Sequence, residues 1–281
     1  GPGIRTTVFF KGCPLGCAWC QNPEGLSSKP GISFHRNLCR PDTCGHICIS
    51  VCPEHCLSFV DYLHVDHDCC TRCDKCFEVC PTKALEPVGY WITVEDLLYR
   101  VLVDEKIFKS SGGGVTLSGG EASQQYKFAS RFLQGLKERN IHTAIETSGF
   151  FNYKKFENYL LPYLDLIYFD LKIMDDDLSR EYTGQTNTLI HENLARLASL
   201  KSLDLRVRVP LIPGITDTTE NLTTIAQFLK NLKIGSVNLM PYNPLWQGKI
   251  ESMGQLARYQ RKSFMSPEEL NASVQKIKSL I

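Results

Sequence analysis

From residue 91 onward, apolar positions alternate between a helical and a strand period. Leu97, Leu98, Val101 and Leu102 share one helical face behind Thr93 and Asp96, a pair that reads as a capping box. Val115-Thr116-Leu117 follows as a short buried strand, and Phe128, Phe132, Leu133 and Leu136 mark a helix ending near Asn140. Strands are expected at 141–146 and 166–171, helices at 176–182 and 188–200, and a strand at 204–209 leading into Pro213-Gly214. Asp217 and Glu220 are expected to cap a helix carrying Leu222, Ile225, Phe228, Leu229 and Leu232. A strand at 236–240 follows, and Ser266-Pro267-Glu268-Glu269 opens a last helix with Pro in its favoured first position. Counting Val8–Lys11, about six strands alternate with helices, which predicts a parallel α/β fold. A closed barrel needs eight strands, so an open, partial barrel is expected, its site built by loops at the carboxyl ends of the strands.

Residues 30–90 break this pattern. They hold few periodic segments and most of the 13 cysteines, all of which lie between Cys13 and Cys80. A discontinuous barrel over residues 1–29 and 91–281, interrupted by an inserted α+β domain at 30–90, is the expected organisation. An odd cysteine count with recurring close spacings beside Pro argues against a secreted disulfide scaffold and for metal ligation in a reducing cytoplasm. The net charge of +1 gives no basic footprint for nucleic acid. The longest apolar stretch, Tyr159 to Phe169, is broken by Pro162 and Asp165 and is too short for a membrane span. No secretory signal is visible, and the opening Gly1-Pro2-Gly3 lacks a Met, so residues upstream are expected.

Cys13-Pro14-Leu15-Gly16-Cys17-Ala18-Trp19-Cys20 has the spacing C-x3-C-x2-C directly after a strand. Three thiolates in one loop can hold three irons of a [4Fe–4S] cube and leave the fourth open to a chelating substrate. A zinc site completed by a distant fourth ligand is the alternative. Further on, Cys70-x2-Cys73-x2-Cys76-x3-Cys80-Pro81 matches the bacterial two-cluster ferredoxin run. Cys39-x4-Cys44-x3-Cys48-x3-Cys52-Pro53 is the same run with its first gaps stretched. Because the fourth Cys of such a run ligates the other cluster, one cube is expected on Cys39, Cys44, Cys48 and Cys80, the other on Cys52, Cys70, Cys73 and Cys76. Aligning Cys52-Pro-Glu-His-Cys56 on Cys80-Pro-Thr-Lys-Ala84 sets Cys56 opposite an alanine, so it reads as a small buried thiol, with replacement of Cys39 by Cys56 as the alternative; Cys69 has no counterpart.

The cysteine triplet, with an aromatic residue before its last Cys, resembles the signature of the radical S-adenosylmethionine superfamily. That resemblance implies that the open iron binds the amino and carboxylate groups of S-adenosylmethionine, with Trp19 near the adenine. Ser118-Gly119-Gly120-Glu121, one strand later, resembles the superfamily motif that holds the methionine amino group. Nearly the whole chain is similar to the glycyl radical enzyme activating enzymes, the group that includes the pyruvate formate-lyase activating enzymes. The matching segments are Gly1-Pro2-Gly3-Ile4-Arg5, Glu146-Thr147-Ser148-Gly149, Asp170-Leu171-Lys172 and Arg208-Val209-Pro210-Leu211-Ile212-Pro213-Gly214. The resemblance implies that Glu146, Thr147 and Asp170 give oxygens to a monovalent cation (Na+ or K+) beside the methionine carboxylate. Lys172 and Arg208 would neutralise that carboxylate or approach the ribose. Pro241-Tyr242-Asn243 departs from the group's usual Pro-Tyr/Phe-His, and Asn cannot titrate near neutrality. His142, on a strand, reads as a core or ion-paired residue.

The implied reaction is reductive cleavage of S-adenosylmethionine to methionine and a 5′-deoxyadenosyl radical, which takes a hydrogen from one glycine Cα of a partner glycyl radical enzyme. Three [4Fe–4S] clusters and reduced flavodoxin or ferredoxin as electron donor complete the expectation. The alternatives are a maturase of another peptide, such as the sulfatase-maturing type, and an electron-transfer ferredoxin fused to an inactive barrel. The former place their auxiliary clusters after the barrel; the latter leaves the Gly-Gly-Glu and Asp-Leu-Lys motifs unexplained. The ribonucleotide reductase activases also act on glycine but lack the insertion.

Overall fold

A computed structural model describes residues 1–200, 202–278 and 280. Six strands make one sheet: β1 (Arg5–Phe10), then, after four short strands, β6 (Gly114–Gly119), β7 (His142–Thr147), β8 (Leu166–Asp170), β9 (Asp204–Leu211) and β10 (Asn238–Pro241). They pair in the order β1-β6-β7-β8-β9-β10, every pairing parallel. Sequential parallel order with helices in the crossovers is the α/β architecture expected, and the ladder does not close between β1 and β10, as in a partial barrel.

Each central strand divides its side chains between two faces. Val115, Leu117, Ile145, Ile167, Phe169, Val207 and Val209 meet the helices and form the main core with Phe132, Leu133, Leu194, Leu222 and Ile225. The intervening positions Ser118, Glu146, Asp170 and Arg208 turn to the other face and line a cavity. The helical layer follows its sequence signals. Thr93 caps Val94–Leu102 by accepting from the Asp96 amide at 3.1 Å and donating to its carboxylate at 2.8 Å. Ser266 accepts from the Glu269 amide ahead of Pro267–Lys278. For Thr219–Asn231 the cap is Thr218 and not Asp217, whose carboxylate accepts from the Gly214 amide and closes the preceding turn. Helices at Glu105–Ser111, Tyr153–Tyr159 and Trp246–Ser252 were not anticipated. Among the described residues no helix is long and apolar enough to cross a membrane.

Between β1 and β6 lie two antiparallel pairs. β2 (Gly31–Phe34) pairs with β5 (Leu85–Val88), and β3 (Leu57–Phe59) with β4 (Leu63–Val65). Ile32, Leu57, Leu63, Cys76 and Leu85 form a small core of their own, with Cys48, Cys52 and Cys70 packed against it. The internal repeat is visible in the backbone. His46 and Asp74 take left-handed conformations ahead of the short helices Ile47–Ser50 and Lys75–Val79, and His55 and Lys83 do so again after Cys52 and Cys80.

Candidate active site and cysteine cavities

The loop after β1 is pinned from three sides. Gly12 and Cys13 donate backbone hydrogen bonds to Gly25 and Leu26, at 2.7 and 3.1 Å. Gly16 and Ala18 donate to the carbonyls of Thr183 and Tyr182, while Arg258 bonds the Gly16 and Glu181 carbonyls. From the third side, Glu121 N donates to Gly12 O at 2.8 Å. Gly120 has to be glycine, since a Cβ there would strike the carbonyls of Gly12 and Gly25.

This packing turns Cys13, Cys17 and Cys20 into a cavity of about 360 Å³, together with Trp19, Gly119, Gly120, Glu146, Thr147, Asp170, Lys172 and Arg208. Burial pushes the Cys13 thiol up to about 11 and the Cys20 thiol up to about 12; it raises Cys17 as well, against the opposing pull of Lys172. Half-buried thiols converging on one cavity are a donor set that iron ligation satisfies by removing the protons. Trp19 is buried, its ring 6.3 Å from that of Tyr182.

Arg208 is the centre of the cavity's charges. Its Nε donates to Asp170 at 2.7 Å and its Nη1 to Glu146 at 2.6 Å, and Ser118 Oγ donates to the other Glu146 oxygen. Burial opposes the guanidinium charge, but the two carboxylates, Asp170 foremost, more than offset it and raise its pKa. Lys172 stands 3.7 Å from the far oxygen of Asp170. Glu146, Thr147 and Asp170, the expected cation ligands, all line this cavity. Arg208 supplies a positive charge between Glu146 and Asp170, and the Thr147 hydroxyl donates to Glu121.

Glu121 departs from its expected place in the cavity. Its side chain is 1% exposed and lies behind the cavity wall. Four donors saturate its carboxylate: the hydroxyls of Ser123 and Thr147 on one oxygen, and the amide and hydroxyl of Ser148 on the other. Its geometry is that of a tie between the carboxyl ends of β6 and β7. Ser118, Ser148 and Tyr242, which belong to the matching motifs but had no assigned role, also line the cavity, as does Met240, which no motif marked. Asn243 is there too, its side-chain oxygen accepting from the Leu245 amide at 3.3 Å. His142 accepts from Arg5 Nη1 through Nδ1 at 3.2 Å, so it is a hydrogen-bonded ring and not an ion pair.

Two further cavities gather all the remaining cysteines but Cys69. Cys39, Cys44, Cys48 and Cys80 line one; Cys52, Cys56, Cys70, Cys73 and Cys76 line the other. Each crossing cysteine accepts a backbone amide at the repeat-equivalent position, Cys56 N on Cys52 Sγ and Ala84 N on Cys80 Sγ. Cys56 is buried as expected, but it is not a free thiol. It is disulfide-bonded to Cys69, with Cα atoms 5.8 Å apart. The β3–β4 hairpin brings the two together, Asp66 N donating to Cys56 O at 2.8 Å.

Residues 65–228 match the model of the radical SAM superfamily, and residues 1–42 match that of a 4Fe-4S single cluster domain. The isethionate sulfite-lyase activating enzyme of Oleidesulfovibrio alaskensis is 39% identical over 249 residues, covering 87% of this chain and 80% of the relative. The 4-hydroxyphenylacetate decarboxylase activating enzyme of Clostridioides difficile is 36% identical over 275 residues, 96% of this chain and 86% of the relative. The choline trimethylamine-lyase activating enzyme of O. alaskensis is 39% identical over 266 residues, 90% of this chain and 83% of the relative. Among solved structures, Streptococcus suis SuiB bound to its precursor peptide SuiA aligns with a TM-score of 0.58 at 13% identity. It covers 99% of this chain and 46% of that one, a likeness of fold alone. Sheet, cysteine loop and family model together define a radical S-adenosylmethionine protein. Within that superfamily the chain belongs to the glycyl radical enzyme activating enzymes.

Proposed function

We propose that this chain activates one glycyl radical enzyme using S-adenosylmethionine bound in the cavity on the carboxyl ends of the strands. The observation that carries the reading is the convergence of Cys13, Cys17 and Cys20 with Gly119, Gly120, Asp170, Lys172 and Arg208 on one cavity. When bound there, a [4Fe–4S] cluster supplies the electron that splits S-adenosylmethionine to methionine and a 5′-deoxyadenosyl radical, which takes a hydrogen atom from the partner's glycine. The chain's own residues bind and orient. Backbone around Gly119 and Gly120 admits the methionine ammonium closely, and Lys172 offers the methionine carboxylate a cation. Arg208 keeps Glu146 and Asp170 neutralised, so that two carboxylates do not repel an anionic group. Trp19 presents an apolar wall to the adenine.

The insertion at 30–90 is read as a ferredoxin-like domain carrying two more cubes on the crossed quartets. The cavity linings support this reading: Cys39, Cys44, Cys48 and Cys80 share one, and Cys52, Cys70, Cys73 and Cys76 share the other with the disulfide-bonded Cys56. These cubes would pass electrons inward from reduced flavodoxin or ferredoxin in the cytoplasm. The relatives' names span enzymes acting on isethionate, 4-hydroxyphenylacetate and choline. Which glycyl radical enzyme gene lies beside this one would identify the partner.

Anaerobic reconstitution tests the whole reading. About twelve irons per chain are expected, from three four-iron clusters. With reductant and S-adenosylmethionine, 5′-deoxyadenosine should form, and addition of the partner should give a glycyl radical signal. Cys17→Ala should lose about four irons and all cleavage. Iron retained in the native protein without any 5′-deoxyadenosine would favour the ferredoxin alternative.

A further inference from the structure

The two quartets are related by the internal repeat, yet one residue breaks their equivalence. Arg72 stands in the spacer Cys70-Thr71-Arg72-Cys73, directly before Cys73, where the first run has Thr43 before Cys44. Its backbone is left-handed, with φ of 59°, and its side chain is 14% exposed and lines the cavity of Cys52, Cys70, Cys73 and Cys76. The guanidinium donates to Gly31 O and, at 3.5 Å, to Gly89 O. Those carbonyls sit where the chain enters β2 and where it leaves β5, the two crossings between barrel and insertion. Asp74 accepts from Nε at 3.2 Å, and the Phe77 ring lies 5.4 Å below the guanidinium carbon. Beyond Gly89 comes Lys11, against which a Cβ at residue 89 would collide. Lys11 is two residues from Cys13, and its carbonyl accepts from Gln125 at 2.7 Å. A continuous set of contacts thus runs from the catalytic triplet through Lys11 and Gly89 to Arg72.

We infer that Arg72 is a positioning residue that fixes the Cys52, Cys70, Cys73 and Cys76 cube at the barrel junction, making it the inner relay, and raises the reduction potential of that cube alone. This rests on the reading that both quartets hold cubes. Reduction adds negative charge to the cluster, and a cation largely withdrawn from water stabilises the more negative state. Arg40 lines the cavity of the other quartet too, but it is exposed, and its donors reach only the neighbouring carbonyls of Asn37 and Cys39 and no strand of the insertion.

The test is an anaerobic redox titration followed by electron paramagnetic resonance, with iron counted in every sample. The inner centre is identified as the signal missing from Cys73→Ala. Arg72→Gln should keep its iron and move that one centre down about tenfold in the one-electron equilibrium, about 59 mV. Arg72→Lys, which keeps the charge, should leave the centre close to its native potential. Three centres titrating as in the native protein, or two moving together, would overturn the inference. Should Arg72→Gln lose iron, the Lys variant decides: an unmoved inner centre supports the inference and a lowered one overturns it. A native protein carrying only about four irons would instead sink the quartet reading, and the inference with it, before any variant is made.

Discussion

Replacing Glu121 separates a residue that ties loops together from one that touches ligand. Leu at this position keeps the bulk and removes both acceptors. Four hydrogen bonds then fail, from Ser123, Thr147 and twice from Ser148, at a site 1% exposed to solvent. At about 1 kcal/mol for each lost bond the cost is about 4 kcal/mol. For a chain of this size that corresponds to a fall of about 8 °C in melting temperature. Gln behaves differently. Its oxygen can keep the fixed Ser148 amide, while its nitrogen donates to the Ser123 and Thr147 hydroxyls once these rotate. The expected cost is about 1 kcal/mol, or about 2 °C. The loops joined by Glu121 form the cavity wall, so affinity for S-adenosylmethionine should fall about tenfold in the Leu variant and little in the Gln variant. Anaerobic thermal unfolding by circular dichroism and calorimetric titration with S-adenosylmethionine provide the two readouts. Equal effects of Leu and Gln on melting, or a Gln variant that alone loses binding, would refute the reasoning and return Glu121 to the ligand.

Arg208→Met should lower stability by about 2 kcal/mol, since two charge-assisted bonds are lost and partial exposure of their carboxylates discounts them. It should also weaken S-adenosylmethionine binding; unchanged melting and binding would exclude Arg208 as the centre of the cavity's charges. His142 gives a pH dependence. Burial, and then Arg5, hold its pKa below the usual value, so the unfolded chain takes up a proton that the folded chain refuses. The stability associated with the neutral ring is present above about pH 6.5 and is lost as pH falls below it. His142→Gln should therefore gain on the native protein in melting temperature between about pH 7.5 and about pH 6, and a pH-independent difference would contradict the assignment.

The parallel α/β alternation was legible because it has a short-range signature, and the cysteine spacings have one too. Alternating periods mark strands and helices, and C-x2-C spacings bring ligands together whatever surrounds them. Glu121 shows where such reading stops. A Gly-Gly-Glu after a strand marks a ligand loop, but whether the carboxylate faces inward depends on Ser148, 27 residues on. Asp217 and Thr218 both have cap chemistry, and only the turn at Gly214 decides between them. The Cys56–Cys69 pairing needs the β3–β4 hairpin register, which a three-residue strand does not announce. The inner face of the sheet is the instructive middle case. Glu146, Asp170 and Arg208 were recognised by motif, yet their mutual pairing is a fact of register, because β7, β8 and β9 lie side by side.

Under the proposed two-cube reading, the exchange of Cys52 and Cys80 between the quartets bears on how the protein is made. As the chain leaves the ribosome, Cys39, Cys44 and Cys48 appear first, yet their set stays one short until Cys80 has emerged. The later-starting set is complete earlier, at Cys76, because its distant member Cys52 is already waiting. Iron delivered during synthesis would thus find the inner site ready before the outer one. On that reading a nascent chain cut off before residue 76 could close neither, and the insertion would acquire its metal late.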